Sequence, residues 1–165
     1  MKVVNDQIID AVIESLDTLE DDYDRQLREL FNRQPVVAAY LDSEQTGILS
    51  DEERDFLEYL TLVICKSVEK VEKNIEAVTE ATLEEVEERN WDLLEQAKGT
   101  SFSDRMDIFF ENYAQEDLLA FVEDSLVYDP DDEEANMEFL TDEGREPMFV
   151  ILKTIIDALE KTSGK

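Results

Sequence analysis

The sequence has no histidine, one cysteine, four glycines and three prolines in 165 residues, and few bases to set against its acids. Each shortage closes off some chemistry. Without histidine there is no Ser-His-Asp or Cys-His arrangement, no histidine-rich zinc site, and no Glu-x-x-His pair of the di-iron bundles. The segments "EGRE" and "AKGT" lack the pattern of a phosphate-binding loop. With 44 acids some carboxylate pair is inevitable, so closeness of two acids in sequence is no sign of acid–base catalysis. A non-enzymatic protein is expected.

A single cysteine forms no internal disulfide, and Cys65 in "LTLVICKSV" is read as a small buried hydrophobe rather than a nucleophile. No stretch approaches the roughly 18 uninterrupted apolar residues of a membrane-spanning helix. The opening "MKVVNDQIIDAVIESLD" is broken by acids every few positions and lacks the apolar centre of a signal peptide. A cytoplasmic protein with no membrane contact is the expectation.

What is abundant is acid: 44 Asp and Glu against 15 Lys and Arg give a formal charge of −29. Such a surface repels phosphates, so no direct binding to nucleic acid is expected. Three readings account for the charge. A carboxylate-rich face engages a basic partner, a DNA mimic being the sharpest version; or the protein is adapted to high salt; or the charge only solvates a helical surface. The acidity is densest from Asp129 to Glu146, where nine acids stand against Arg145 alone. Asp129, Asp131, Asp132, Glu133, Glu134, Glu138, Asp142, Glu143 and Glu146 are therefore the candidate partner-binding residues, on a solvated connection or interaction loop.

Apolar residues recur at spacings of three and four along most of the chain, and with so little glycine and proline this predicts an all-α, single-domain bundle of about seven or eight helices. Ile8, Ile9, Val12, Ile13, Leu16 and Leu19 form one stripe, and Tyr23, Leu27, Leu30 and Phe31 a second. Pro35 suits the first turn of a short helix, "PVVAAYL". Ser50 with Glu53 is a capping box opening a long helix over 51–78. Thr82 with Glu85 repeats that pattern and predicts a helix running to Gly99. Ser103 is a candidate cap for a helix carrying Met106, Phe109, Phe110 and Tyr113. Pro147 to Leu159 is apolar on most sides, as suits a helix at the centre of a bundle, and the tail after 161 is expected to be loose.

Two halves, near 23–75 and 102–161, share short motifs in the same order: "QPVVAAY" with "QEDLLAF", "DEERDFLEYL" with "DDEEANMEFL", and "VICKSV" with "VILKTI". An internal duplication is one reading of them.

The sharpest local signal is "DSEQTGILSDEE", residues 42–53. Ca²⁺ needs six to eight oxygens at roughly 2.3–2.6 Å, a sharp glycine turn and a bidentate carboxylate at the end of the loop. The stretch resembles an EF-hand loop, and the resemblance implies Asp42, Glu44, Thr46, Ile48 (through its carbonyl), Ser50 and Glu53 as ligands. It departs from the pattern at Glu44, where a shorter acid or amide is usual, at the neutral Thr46, and at Arg54, which follows the loop where an apolar residue is usual. The same residues also read as a turn at Gly47 followed by a capped helix. Trp91 lies off the Leu83, Val86, Asn90, Leu93 and Ala97 line of its helix and reads as a core-edge residue or an exposed partner anchor.

Overall fold

The computed structural model describes residues 1–18, 22–127 and 139–163, apart from the side chain of Gln45. Among these residues the protein is all-helical, a bundle of eight α-helices. They are α1 (Asp6–Asp17), α2 (Tyr23–Arg33), α3 (Pro35–Leu41), α4 (Asp51–Val71), α5 (Glu80–Glu95), α6 (Phe102–Met106), α7 (Glu116–Leu126) and α8 (Asp142–Thr162), with 3₁₀ turns at Glu44–Thr46 and Asp107–Phe110. No described helix is long and apolar enough to cross a membrane.

Local chemistry sets most of the boundaries. The Asn5 carboxamide accepts the Ile8 N–H and starts α1. Pro35 drives Gln34 out of the helical region, to φ −126° and ψ 68°, so α2 and α3 are separate helices. Ser50 and Glu53 form the expected capping box at the start of α4.

Several boundaries differ from the sequence reading, among them the end of α5, which stops at Glu95 and does not run to Gly99. The long helix stops at Val71, because Glu72 is extended and the Gln34 side chain captures the segment beyond it. The Gln34 amide donates to the Glu76 carbonyl at 3.0 Å and its carbonyl accepts the Val78 N–H at 2.8 Å. Ile75 and Val78 therefore lie on a pinned connection. The cap of α5 is Thr79 rather than Thr82, and that of α6 is Ser101 rather than Ser103. α8 begins at Asp142, capped by Thr141, with Pro147 inside it. The end of the acidic stretch thus forms the first turn of α8. Thr162 ends α8, and both it and Ser163 are buried.

α8 and α4 form the centre. Every residue from Met148 to Ile156 is buried, and so is Leu60 to Cys65. α4 packs on α1, α2 and α3, α8 packs on α5 and α7, and α4 and α8 meet each other. Burying each such large apolar side chain contributes about 1.5–3 kcal/mol before entropy is set against it.

Candidate functional site

The six candidate calcium ligands lie in different local settings. Asp42 ends α3 and is exposed, Glu44 is exposed in the 3₁₀ turn, and the Ile48 side chain is 65 % exposed. Thr46 is buried and its hydroxyl donates to the Ser43 carbonyl at 2.8 Å. Gly47 has φ −62°, an ordinary right-handed conformation that asks nothing special of glycine. Ser50 and Glu53 serve as helix caps. Glu53 Oε1 accepts the Ser50 N–H at 3.0 Å, and Oε2 accepts both the N–H and the hydroxyl of Thr141 at 3.1 Å. Arg54 donates through Nε to the Thr46 carbonyl at 3.2 Å, closing the loop from the side.

Calcium would have to take Glu53 from three hydrogen bonds in a fully buried position. The expected result is that about 1 mM Ca²⁺ over a Mg²⁺ background leaves Tm unchanged; a bound ion at 100 times its Kd would add about 2.7 kcal/mol. A calcium-specific rise in Tm that Glu53→Gln removes would contradict the capped-turn reading.

Of the acidic stretch, Asp129, Asp131, Asp132, Glu133, Glu134 and Glu138 lie outside the described residues. Asp142 and Glu143 are exposed in the first turn of α8, the Asp142 side chain being 90 % exposed and 3.8 Å from Arg145. Glu146 is bound up in the fold. Arg105 grips it through Nε at 2.8 Å and a terminal nitrogen at 2.9 Å, a bidentate pair tying α6 to α8.

Most surface acids are not taken up in this way. The ion pairs among the described residues engage Asp22, Glu29, Glu69, Glu85, Asp142, Glu146 and Asp157. Several of the remaining acids line clefts together with apolar residues. Between α2, α3 and α4 a cleft of about 430 Å³ is lined by Phe31, Ala38 and Leu41 together with Asp42, Asp51, Asp55 and Glu58. Between α1 and α7 a smaller one, about 280 Å³, sets Asp6, Asp10, Asp117 and Asp124 around Ile9 and Phe121. A third lies beside α6 and carries Glu95, Asp104, Asp107 and Glu111 with Lys98.

In the first cleft, partial burial holds the Glu58 carboxyl above the usual carboxylate range, and Asp55 and Asp42 push it further. Nearby, the Tyr23 phenol is pushed up to about 12 by burial and then by Glu58 and Asp55. Arg54, the base in the cleft lining, donates its Nε to the loop carbonyl.

A different cleft, about 400 Å³, is mixed in charge. Arg33 and Lys73 face Glu69 and Glu72 over Leu30, Leu159 and Cys65. Burial, reinforced by Glu69, pushes the Cys65 thiol up to about 12, so it stays a protonated, unreactive group at neutral pH.

Sequence reasoning missed a polar cluster inside the bundle. Lys153, 5 % exposed, donates to Asn90 Oδ1 at 2.9 Å and Asp157 Oδ2 at 2.7 Å. The Asn90 amide donates to Thr154 Oγ1 at 3.1 Å and Asp157 Oδ2 at 3.0 Å. Tyr113 donates its hydroxyl to Asp157 Oδ1 at 2.6 Å, and the Lys153 ammonium lies 4.6 Å from the Tyr113 ring centroid. Burial and the Asp157 carboxylate hold the Tyr113 phenol far above its ordinary range. The signal was present in the sequence: Asn90 stands on an otherwise apolar helical stripe, and Lys153 interrupts "FVILKTII". Trp91, next to Asn90, is partly buried against the core.

No protein-family model, curated protein or solved structure matches the chain.

Proposed function

We propose that this is a non-enzymatic, cytoplasmic interaction protein that binds a basic partner, with the cleft between α2, α3 and α4 as its principal contact. The observation that carries this reading is the gathering of Asp42, Asp51, Asp55 and Glu58 with Phe31, Ala38 and Leu41 in the lining of one cleft, where burial and then Asp55 and Asp42 raise the Glu58 carboxyl. A lysine or arginine side chain entering there would lay its aliphatic stem on Phe31 and Leu41 and its charge among the carboxylates. Relief of like-charge repulsion then adds to the attraction.

A heat titration with a lysine- and arginine-rich peptide tests the reading. Binding is expected at 0.15 M KCl, weakening steeply with salt, and D55N/E58Q is expected to weaken it about tenfold or more, since charge pairs at such contacts contribute on the order of 1.5 kcal/mol or more. Equal binding by wild type and variant would sink the assignment to this cleft. The sharper version, mimicry of a DNA duplex, adds a further expectation: the protein should compete with duplex DNA for a basic DNA-binding domain. If salt adaptation explains the charge instead, the fold should lose stability sharply at low KCl and the peptide should find no preferred site.

The raised carboxyls also set a pH dependence. Glu58, Glu123 and Glu160 are each shifted upward, by burial first. A carboxyl whose folded pKa exceeds its unfolded value keeps its proton longer in the folded state, so its contribution to stability falls as pH rises through the interval between the two values. Tm is therefore expected to rise on going from pH 8 to about pH 5, just above the ordinary carboxylate range. Glu58→Gln should raise Tm at pH 7 and reduce that difference. A Tm that falls steadily on acidification over this interval would contradict the assignment.

A further inference from the structure

The helices α4 and α8 are each 21 residues long and begin alike. Leu49-Ser50-Asp51-Glu52-Glu53-Arg54-Asp55 aligns with Leu140-Thr141-Asp142-Glu143-Gly144-Arg145-Glu146. The hydroxyls of Ser50 and Thr141 each accept the N–H three residues on, at 3.1 and 3.0 Å, and Leu49 and Leu140 are both buried. Carried along the two helices, this register matches burial with burial and exposure with exposure except at 55/146, 58/149, 59/150 and 71/162.

The same relation holds at the start of each half. From 1 to 16 and from 75 to 90 the sequence of buried, half-buried and exposed positions is identical. Val4, Ile9, Val12 and Leu16 lie inside in the first, and Val78, Leu83, Val86 and Asn90 in the second. Asn5 and Thr79 are the corresponding caps. The acids recur too, Asp6 with Glu80, Asp10 with Glu84 and Glu14 with Glu88.

The contacts between the halves are reciprocal. Gln34, the residue before α3, holds the Glu76 carbonyl and the Val78 N–H at the head of the second half. Gln115, the residue before α7, holds the Lys2 carbonyl at 3.0 Å and the Val4 N–H at 3.0 Å at the head of the first. Each buried glutamine uses both ends of its amide on two residues of the other half, at matching positions. A tandem stack would give such a contact in one direction only; reciprocity is the mark of a twofold relation.

We propose that the chain is two copies of one four-helix unit, 1–71 and 75–162, related by a pseudo-twofold axis that passes through the Glu53 carboxylate beside Gly144. The two oxygens of that carboxylate accept from the two equivalent N–H groups, Ser50 at 3.0 Å and Thr141 at 3.1 Å. A β-carbon on Gly144 would run into Glu53 Oε2. The axis has room for one acid, which explains why the two motifs part company at this position. α2 and the 102–113 segment hold the same place in the order of elements, the second being divided between α6 and a 3₁₀ turn.

Exchanging the residues across the axis is the test. E53G loses a carboxylate that caps both central helices, and G144E places a second carboxylate in filled space; each should lower Tm by roughly 5–10 °C. The exchanged protein, E53G/G144E, presents the same carboxylate from the opposite helix and should recover at least half of the E53G loss. A double variant that fails to fold, or is no more stable than E53G, overturns the proposal. The clamps supply a second readout. Gln34→Leu should deprotect the Val78 amide in hydrogen exchange, and Gln115→Leu the Val4 amide, to within about threefold of each other. Loss at only one of the two amides would count equally against a twofold relation.

Discussion

Lys153→Met is expected to destabilise the protein by about 3–5 kcal/mol, the scale for removing one partner of a buried ion pair. The methionine fits the space of the lysine stem, so the loss is electrostatic: Asp157 and the Asn90 carbonyl oxygen forfeit their charged donor in the interior. For a chain of this size the change lowers Tm by roughly 10 °C. Urea unfolding measures it, and an unchanged m-value confirms that the variant unfolds from the same compact state. A loss below about 1 kcal/mol would mean that the cluster is hydrated and contributes little.

The second large effect runs the other way. In the proposed register Asn90, Lys153, Thr154 and Asp157 correspond to Leu16, Leu62, Val63 and Lys66 of the first half, three apolar core residues and a half-buried lysine. The combined variant N90L/K153L/T154V/D157K, with Tyr113→Phe to remove the orphaned hydroxyl, should restore the stability that Lys153→Met loses. Replacing a buried ionic cluster by well-packed apolar residues is commonly neutral or stabilising by about 1–4 kcal/mol. The D157K change sets a lysine three residues before Glu160, as Lys66 stands before Glu69 at 3.9 Å. A combined variant less stable than Lys153→Met would show that the two halves are not interchangeable at these positions. The polar cluster would then be a requirement of the second half and not an addition to it.

The fold was legible where the decisive chemistry is local. Ser50 with Glu53, Pro35 at the head of α3, and the apolar breadth of "PMFVILKTIIDAL" each state their structure within a few residues. Two of the differences, at the starts of α5 and α8, involve a contact distant in sequence. Thr79 and Thr82 are both fit to cap α5. Gln34, far away in sequence, pins Glu76 to Val78 in an extended form, and the helix starts directly after it. The helix expected from Pro147 starts instead at Asp142, because Thr141 caps it while its hydroxyl donates to Glu53 of the other central helix. Pairing the shared motifs of the two halves by chemical type sets "VICKSV" opposite "VILKTI". That is one helical turn away from the register set by the caps at Ser50 and Thr141.

The candidate site was less legible than the fold. A calcium loop and a capped turn use the same residue types, and only the destination of the Glu53 carboxylate separates them. The acidic cleft at Glu58 draws on α2, α3 and α4 together, so no window of sequence contains it. The Lys153 cluster joins residues more than sixty positions apart, Asn90 to Asp157 among them. A buried lysine on an apolar helix announces only that a partner must exist.

The cleft between α2, α3 and α4 is the proposed contact for a basic partner. Its most direct test is amide NMR of the isotopically labelled protein during titration with a lysine- and arginine-rich peptide at 0.15 M KCl. The predicted result is a set of saturable shifts confined to residues near Phe31, Asp42, Asp55 and Glu58, absent in D55N/E58Q and kept in E84Q/E88Q, which removes the same charge from α5. Small shifts spread over every acidic helix, reduced alike by both variants, would contradict it and leave the charge as a general property of the surface.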